Sequence, residues 1–435
     1  MSGSTEVGRL KRAARLSRLG AKAALQQGRS WIQRDPAKAQ AALARTLVEE
    51  LGQLKGMPMK IGQILSYMGG VVPDEYAALY QEILGELRTQ SPPMDEATWR
   101  AVFEDSMSST PEALFDSFEV TPLASASIGQ VHAARFEGQP VCVKIQYPGI
   151  AEATESDMAN IEGVVGLMRR IMPGVDTRAM VDDFRARLFE ECDYRHEAAS
   201  QARFRALYED DPDLLVPAVF AAASGDRVIT TARINGISME VFLHDASQEE
   251  RNRAGRALFR FAFGTLLTEG LFHADPHPGN LLFRADADGR LGVLDYGCVQ
   301  PLPLGARRDI AALLEAAMAG DDLEEPARKA LGIDEMDPAT AEVVTRIVGL
   351  VLAPIRTEFF RFSRAFASDI SRVVVEAKMK LGPRLLTRRG RFRVSRDGVM
   401  FVVRNLFGLA ALWGALETEG DFQALTRDMI GSMES

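Results

Sequence analysis

Two carboxylates and one amide in the second half of the chain have the types and spacing that phosphoryl transfer needs. Asp275 lies within His273–Asn280, and Asp295 stands at the end of a hydrophobic run, two residues before Gly297. A loop Asp can accept or orient an attacking hydroxyl group or water, while an Asn and a second Asp hold metal ions against nucleotide phosphates. The pattern D-x-x-x-x-N followed by D-x-G therefore predicts a catalytic Asp275 and a metal site formed by Asn280 and Asp295.

The flanking residues predict a rigid loop between short strands. Leu281–Phe283 and Leu291–Leu294 have the hydrophobic pattern of strands, and Asp286–Gly289 has turn residues. Pro276 and Pro278 fix φ and remove two backbone donors, which suits a loop that must hold two ligands still.

Two other interpretations of the octapeptide remain open at this stage. His273, Asp275 and His277 could ligate a metal ion directly, as His and carboxylates do in zinc or iron sites. The segment could also be a turn without chemistry. The sequence has no further His or Cys cluster to support the first alternative, and the upstream sequence argues against both.

A series of predicted strands from Phe115 onward carries a candidate phosphate-binding lysine. Val141–Lys144 matches the V-A-I-K pattern, in which a strand lysine binds the α- and β-phosphates. A lysine on an edge strand is the alternative. The strands 128–136 and 141–147 are predicted to form a hairpin around the turn 137–139.

The loop before this hairpin occupies the place where protein kinases have a glycine-rich phosphate loop. It is rich in alanine and serine, so it should be stiffer and less able to adopt positive φ, although its amides and hydroxyl groups can still donate. The predicted nucleotide-binding residues of this loop are Ala124, Ser125, Ala126, Ser127, Ile128, Gly129 and Gln130.

Carboxylates on one predicted helix could serve two lysines. Periodicity predicts a helix over residues 176–209, which would place Glu191 on the packed stripe and Glu197 about 120° further round. Upstream, Lys60 and Gln63 share a face of an apolar helix, and a buried lysine needs a partner. Ordinary surface acids with salt-bridge partners would give a similar pattern.

The composition describes a globular protein and restricts its partners. A chain of 435 residues that is 46% hydrophobic predicts two or three domains with a large core. The net charge of -9 argues against general nucleic-acid binding. Three cysteines without CxxC spacing fit a reducing compartment. Arg404 interrupts the apolar run 399–416, which favours a buried helix over a membrane span.

The N-terminal segment 6–30 is basic and helical in pattern, with Glu6 as its single acid. A solvated terminal helix is the favoured interpretation. An arm that lies on anionic lipid and an Arg-rich mitochondrial presequence are the alternatives. No secretory signal opens the chain, so we expect a cytoplasmic location, with peripheral membrane contact as an open option.

Four motifs, taken in order, resemble those of the UbiB/AarF/ADCK family of atypical protein-kinase-like proteins. They are Lys60–Gln63 (KxGQ), the Ala-rich loop 124–130, Glu191-x-Asp193 (ExD), and the pair formed by His273–Asn280 and Asp295–Gly297. The resemblance covers about residues 45–300. It implies an α+β bilobal kinase-like fold with an N-terminal helical extension at 1–110, an antiparallel-sheet N-lobe at 111–234 and a helical C-lobe at 235–435.

The resemblance also implies residue roles and ligands. ATP or ADP with Mg²⁺ would be the cofactors, ATPase or phosphotransferase chemistry the activity, and ubiquinone biosynthesis or lipid metabolism the setting. The implied partners are a lipid or quinone precursor and lipid-biosynthesis enzymes. The resemblance implies that Lys144 binds the phosphates with Glu197 as its partner, and that Asp275 is the catalytic carboxylate of the loop. It implies metal binding for Asn280 and Asp295. It also implies that Lys60 and Gln63 lie over the phosphate site, near Glu191 and Asp193.

Two rival functions share part of this pattern. A small-molecule kinase of the aminoglycoside or choline type has the same D-x-x-x-x-N and D-x-G spacing, but the KxGQ motif and the Ala-rich loop count against it. A pseudokinase would bind nucleotide as a scaffold without useful transfer. All the catalytic residue types are present, which disfavours that reading.

Overall fold

The structure is a computed structural model that describes residues 93–126, 128–150, 192–333, 337–370, 372–373, 376 and 399–434. Its described residues fall into two compact units. Those before 196, together with 221–230, form the first unit, and 196–220 with 231 onward form the second. The predicted division at 110/111 and 234/235 into an extension and two lobes stays a prediction.

Short runs of strands and of helices follow one another along the chain, and most strands are short. The strands are β1 Ser117–Phe118, β2 Ala124–Ser125, β3 Gly129–Phe136, β4 Gln139–Gln146, β5 Leu214–Leu215, β6 Val228–Ala232, β7 Leu271–His273, β8 Leu281–Leu282, β9 Leu291–Val293, β10 Val299–Pro301, β11 Phe360–Arg361 and β12 Glu419–Gly420. The helices include α1 Glu96–Met107, α2 Pro111–Leu114, α3 Tyr194–Leu207, α4 Met239–Asp245, α5 Gln248–Thr268, α6 Leu304–Ala319, α7 Glu324–Ala330, α8 Pro338–Val351, α9 Val399–Leu416 and α10 Phe422–Glu434.

The first unit is built on an antiparallel sheet with the order β1-β3-β4-β6, to which β2 adds at one end of β3. The hairpin β3–β4 turns at Glu137 and Gly138, whose φ angles of 51° and 76° are both positive. Two positive φ angles match the twist of hairpin strands, and glycine adopts them without strain. The hairpin predicted from the sequence is confirmed, with strand bounds one to two residues earlier in β4.

Helix α1 closes one face of this sheet through aromatic packing. Trp99 and Phe103 are buried, and the Trp99 ring lies 5.1 Å from the Phe118 ring and 4.8 Å from the His132 ring, centroid to centroid. The Asp95 side chain accepts a hydrogen bond from Thr98 N and so begins the helix with a standard N-cap.

A buried polar pair, Gln130 and His132, ties the chain that enters the first unit to its sheet. Gln130 Oε1 accepts from Met94 N (2.7 Å), and Gln130 Nε2 lies 2.8 Å from His132 Nε2. His132 Nδ1 lies 2.8 Å from the carbonyl oxygen of Glu119, which can only accept. The imidazole is therefore neutral, with its proton on Nδ1 and with Nε2 accepting from Gln130.

Burial lowers the pKa of His132, and the hydrogen bond to Glu119 O offsets this only in part. An unfolded histidine titrates near pH ~6.5, so below that pH the unfolded chain binds a proton that the native chain does not. We therefore expect the contribution of His132 to the free energy of unfolding to be fully present above pH ~6.5 and to be lost as the pH drops toward the lower native pKa.

Denaturant unfolding between about pH 5 and pH 8 measures this slope. In His132→Phe the titrating group is gone, so part of the slope below pH ~6.5 should disappear, whatever the variant's absolute stability. Equal slopes for the two proteins would mean that His132 does not titrate between the native and unfolded states.

The second unit is organised around α5, a largely buried helix that begins with a capping box between Ser247 and Glu250. Its C-terminal carbonyl groups at Leu267 and Thr268 accept from Arg307 Nη1 of α6. Side chains from other elements complete the core around it, including Phe272, Phe283, Leu291, Leu313, Leu409, Leu412, Leu416 and Phe422.

Helix α9 corresponds to the apolar run for which a buried helix was predicted. Leu409, Leu412 and Leu416 are buried in the core of the second unit, and Trp413 Nε1 donates to Gly255 O of α5 (3.0 Å). In the part of the chain that the structure describes, no helix combines the length and apolar character that crossing a membrane requires.

The prediction of one helix over residues 176–209 is wrong at Cys192 and Asp193. Neither residue is helical, and α3 begins at Tyr194. Asp193 Oδ1 accepts a hydrogen bond from Arg195 N (3.0 Å). The aspartate side chain therefore bonds the local backbone and caps the start of the helix. Since α3 starts after this point, the helical stripe that placed Glu191 in line with later residues does not continue through 192–193.

Candidate functional site

The D-x-x-x-x-N motif folds into a loop in which its two functional side chains contact each other. β7 ends at His273, and the Asn280 Nδ2 group donates to Asp275 Oδ2 (2.7 Å) and to Asp275 O (3.4 Å). A 3₁₀ turn at 278–280 is capped by His277, whose Nδ1 accepts from Gly279 N (3.0 Å). The loop therefore presents a carboxylate whose position is set by the neighbouring amide.

Asp295 lies in a turn that is bonded to this same loop. The strands β8 and β9 pair with Leu281 opposite Val293, and Leu294 N donates to Asn280 O (3.0 Å). The His273 Nε2 group donates to the carbonyl oxygen of Asp295, and Gly297 N donates to Asp295 Oδ1 (3.0 Å). Short-range pairing thus holds Asn280 and Asp295 on adjoining strand ends.

An aromatic cluster supports both segments from the core. The Tyr296 ring is fully buried, with centroid distances of 5.3 Å to Phe204, 6.4 Å to Phe261 and 5.5 Å to His273. Complete burial raises the pKa of Tyr296 well above its ordinary value, so this side chain stays neutral. The cluster makes the loop and the turn parts of one packed body.

The catalytic loop also packs against α9 at a glycine. A Cβ atom added at Gly408 would lie 3.0 Å from Pro276 Cγ, which is tighter than most real Cβ contacts. This close approach explains why the smallest residue stands in the middle of a helix, where glycine carries a cost in helix propensity. The proline that stiffens the loop is therefore held in place by the helix.

In the first unit, Lys144 lies on an interior strand of the sheet. Strand β4 has β3 on one side and β6 on the other, so the alternative of an edge-strand lysine is wrong. Val143 and Ile145 are fully buried, and the alternation along the strand places Lys144 on the other face, where it is half-buried. Its Nζ atom lies 5.1 Å from the ring centroid of Tyr194.

The Ala-rich loop has an exposed tip and a buried base. Ala124 and Ser125 are exposed in β2, and Ala126 N donates to Gly129 O (2.8 Å), so this amide is used within the loop. Ile128, Gly129 and Gln130 are buried. Nucleotide contact by the predicted loop residues stays a prediction.

Gln130 has a structural role that sequence reasoning missed. Its side chain is fully buried and its amide is bonded at both ends, to Met94 N and to His132. This side chain therefore fixes the path of the chain into the sheet.

Residues 86–325 match the ABC1 atypical kinase-like domain, and this is more than half of the chain. The chain belongs to this family. It is 32% identical over 280 residues to the chloroplastic protein ACTIVITY OF BC1 COMPLEX KINASE 8 of Arabidopsis thaliana, covering 63% of this chain and 36% of that one. It is also 32% identical over 257 residues to the mitochondrial atypical kinase COQ8 of Saccharomyces cerevisiae, covering 59% and 50%.

A solved structure shows the same fold. The complex of Rv3197 with erythromycin from Mycobacterium tuberculosis aligns with a TM-score of 0.63 and 30% identity, over 92% of this chain and 98% of that one. The family resemblance and the kinase-like α+β fold predicted from the sequence are thereby confirmed. The chain spans about a third to a half of the length of the two curated relatives named above.

The ABC1-family loop and turn offer the oxygen ligands that Mg²⁺ prefers. Magnesium is usually bound through one or two carboxylates together with water and substrate phosphates. Asp295 supplies a carboxylate, and Asn280 uses its amide nitrogen on Asp275, which leaves the amide oxygen Oδ1 able to ligate. The donor set therefore fits Mg²⁺ held jointly with a nucleotide.

The alternative in which His273, Asp275 and His277 ligate a metal directly has no support. His273 Nε2 is bonded to Asp295 O, and His277 Nδ1 accepts from Gly279 N. Within the described ranges, no group of three or more His, Cys, Asp or Glu side chains is arranged to hold a metal ion.

Several predicted site residues lie outside the described residues, namely Lys60, Gln63, Ser127 and Glu191. The predicted pairing of Lys60 with Glu191 or Asp193 accordingly stays a prediction. Glu197 is buried in the first turn of α3. Its predicted partner Lys144 belongs to the other compact unit, so that pair also stays a prediction.

Sequence reasoning missed an ion-pair network that anchors the start of β9, the strand that leads to Asp295. Asp213 Oδ1 accepts from Arg253 Nε (2.6 Å), and Asp213 Oδ2 accepts from Arg260 Nη2 (2.9 Å). Leu291 N donates to Asp213 O (2.8 Å). Burial raises the pKa of Asp213, but the hydrogen bonds from Arg253 and Arg260 outweigh it and leave the pKa below its ordinary value.

We expect Asp213→Asn to lower the free energy of unfolding at neutral pH by about 2 kcal/mol, because Arg253 loses its carboxylate partner in a half-buried site and Arg260 keeps only the one from Asp211. The lowered pKa means that this contribution is present above the unfolded pKa of ~3.9 and is lost as the pH falls through the native value. Urea unfolding at pH ~7 and pH ~3 tests both statements, with the exposed Asp288→Asn as the matched control. A loss no larger than that of the control would show that the network is not stabilising.

Proposed function

We propose that this ABC1-family chain binds ATP or ADP with Mg²⁺ and catalyses ATP hydrolysis or phosphoryl transfer. One observation carries the proposal: the contact between Asp275 and Asn280, in a loop that is bonded to the turn bearing Asp295. These three side chains are the ones that kinase-like phosphoryl transfer needs, and their spacing is set by short-range structure.

Each group has a distinct task. Bound Mg²⁺ would neutralise phosphate charge, held by the Asp295 carboxylate and the Asn280 amide oxygen. The Asp275 carboxylate would accept or orient the proton of the attacking hydroxyl group or water, and Asn280 Nδ2 keeps that carboxylate in place (2.7 Å). Lys144 would bind the phosphates through its ammonium group.

A titration of ATP and ADP, with and without Mg²⁺, combined with a phosphate-release assay, tests the proposal. We expect binding that requires Mg²⁺ and slow release of phosphate from ATP. Binding without release would favour the pseudokinase scaffold. The absence of Mg²⁺-dependent binding would contradict the proposal. Transfer to an aminoglycoside or to choline would favour the small-molecule kinase, against which the family match counts.

For the cellular setting we propose support of isoprenoid-quinone (ubiquinone) biosynthesis or lipid metabolism. This rests on the family resemblance and on relatives such as the mitochondrial atypical kinase COQ8. The partners would be a lipid or quinone precursor and lipid-biosynthesis enzymes, at a cytoplasmic location. Peripheral membrane contact stays the alternative for the basic segment 6–30, which lies outside the described residues and for which a solvated helix is favoured. Comparison of lipid extracts from cells with and without the gene tests the setting, since unchanged quinone and lipid profiles would contradict it.

A further inference from the structure

Tyr194 holds a place in the first unit that the motifs did not single out. It is the first residue of α3, directly after the E-x-D motif, and its side chain is fully buried. The Lys144 ammonium lies over its ring, 5.1 Å from the centroid. Within about 6 Å, the negative face of an aromatic ring attracts a cation, and more strongly where water is excluded.

The segment around Tyr194 is fixed from both sides. Gln146, two residues after Lys144 on β4, donates through Nε2 to Cys192 O (2.9 Å). On the other side, Arg195 forms an ion pair with Asp226. The strand that carries the lysine therefore also bonds the backbone next to the residue that carries the ring.

The far end of the Tyr194 ring reaches the base of the Ala-rich loop. A Cβ atom added at Gly129 would lie 3.0 Å from the Tyr194 hydroxyl oxygen and closer still to Ile145 O. The φ angle of Gly129 is not in the left-handed region, so close approach is what requires glycine there. One tyrosine thus contacts both the strand lysine and the residue at which the loop enters β3.

We propose that Tyr194 is a positioning residue for Lys144, whose ammonium is held by the aromatic face while the hydroxyl end supports the loop base at Gly129. The plain alternative is a core tyrosine that only fills space, for which leucine or a fluorinated ring would serve equally well. The electrostatic attraction distinguishes the two, because it depends on the electron density of the ring and not on its volume.

The chemical reactivity of Lys144 toward an acylating reagent provides the test, since only the uncharged amine reacts. The full chain, without nucleotide, is labelled with acetic anhydride across a pH series, and Lys144 is quantified by mass spectrometry against the half-exposed Lys329. In Tyr194→Leu the ammonium loses the ring, so we expect the reactivity of Lys144 below its midpoint pH to rise roughly 2- to 30-fold relative to Lys329.

A graded series at constant shape keeps the test valid where Tyr194→Leu fails to fold. Tyr194→Phe retains the ring, so Lys144 should react as in the native chain, within about twofold. Progressive fluorination of a phenylalanine placed at position 194 should then raise the reactivity step by step. A flat series, or a Tyr194→Leu profile equal to the native one, would overturn the proposal.

Steady-state kinetics with ATP provide a second measurement. This measurement rests on the proposed function, because it requires that the chain turn over ATP. Tyr194→Leu should raise the KM for ATP by more than it lowers kcat, since phosphate binding loses a correctly placed ammonium. If the native chain bound no nucleotide, the proposed function would fail while the labelling series could still succeed. An unchanged labelling series beside intact Mg²⁺-dependent binding would overturn the role of Tyr194 alone.

Discussion

We expect the change of Asp295 to asparagine to remove the Mg²⁺-dependent part of the proposed nucleotide binding. A neutral amide is a poorer ligand for a hard cation than a carboxylate, and Mg²⁺ is held by few protein ligands. Altering an outer-shell partner of a bound metal typically costs 10- to 100-fold in affinity. We expect the loss of the ligand itself to weaken Mg²⁺-dependent binding on the order of a hundredfold or more.

Two hydrogen bonds that hold the turn do not need the negative charge of Asp295, so we expect the fold to survive this change. The backbone carbonyl of Asp295 accepts from His273, and the oxygen that accepts from Gly297 N is retained in asparagine. Calorimetric titration of ADP at several Mg²⁺ concentrations measures the effect. Asp288→Asn, an exposed carboxylate in the turn between β8 and β9, is the matched control and should bind as the native chain does. Equal Mg²⁺ dependence in native and Asp295→Asn chains would sink the assignment of this residue as a ligand.

The contacts of the candidate site that follow most directly from the sequence are those set by short-range geometry. The five-residue spacing from Asp275 to Asn280 spans one tight loop, and two prolines leave that loop few conformations. The β3–β4 hairpin is equally local, because Gly138 permits the positive φ that its turn requires. Spacing along the chain translates directly into distance in both cases.

The features that sequence reasoning missed depend on long-range packing, or on a side chain that hydrogen-bonds the local backbone in place of a continuous helix. Periodicity could not show that the Asp193 side chain bonds the Arg195 amide and starts a new helix at Tyr194. Gln130 is bonded by the backbone amide of Met94, which lies far away in sequence, so local pattern could not show this contact. The ring of Tyr194 lies next to Lys144 where the Gln146 side chain joins β4 to the chain just before α3, a contact between residues about 50 positions apart.

Replacing Asp275 by asparagine should abolish most turnover while leaving nucleotide affinity nearly intact. A positioned general base or orienting carboxylate contributes roughly 10²- to 10⁴-fold to rate, so we expect kcat for phosphate release to fall by that factor. The Asn280 Nδ2 donor can still bond an amide oxygen at position 275, so the loop should keep its shape. Parallel measurements of kcat, of the KM for ATP and of ADP affinity, with Asp288→Asn as control, check the expectation.

A double-mutant cycle then tells whether Asp275 and Asn280 act as the unit that their 2.7 Å contact suggests. Asn280→Ala should lower kcat and also weaken Mg²⁺-dependent binding, because it removes a metal ligand and the donor that orients the carboxylate. Side chains in direct contact show interaction free energies of roughly 0.5–3 kcal/mol, so the combined variant should lose less kcat than the product of the two single losses. Strictly multiplicative losses would show that Asn280 does not position Asp275. Phosphate release by Asp275→Asn at the native rate would show instead that this carboxylate is not the group that orients the attacking water.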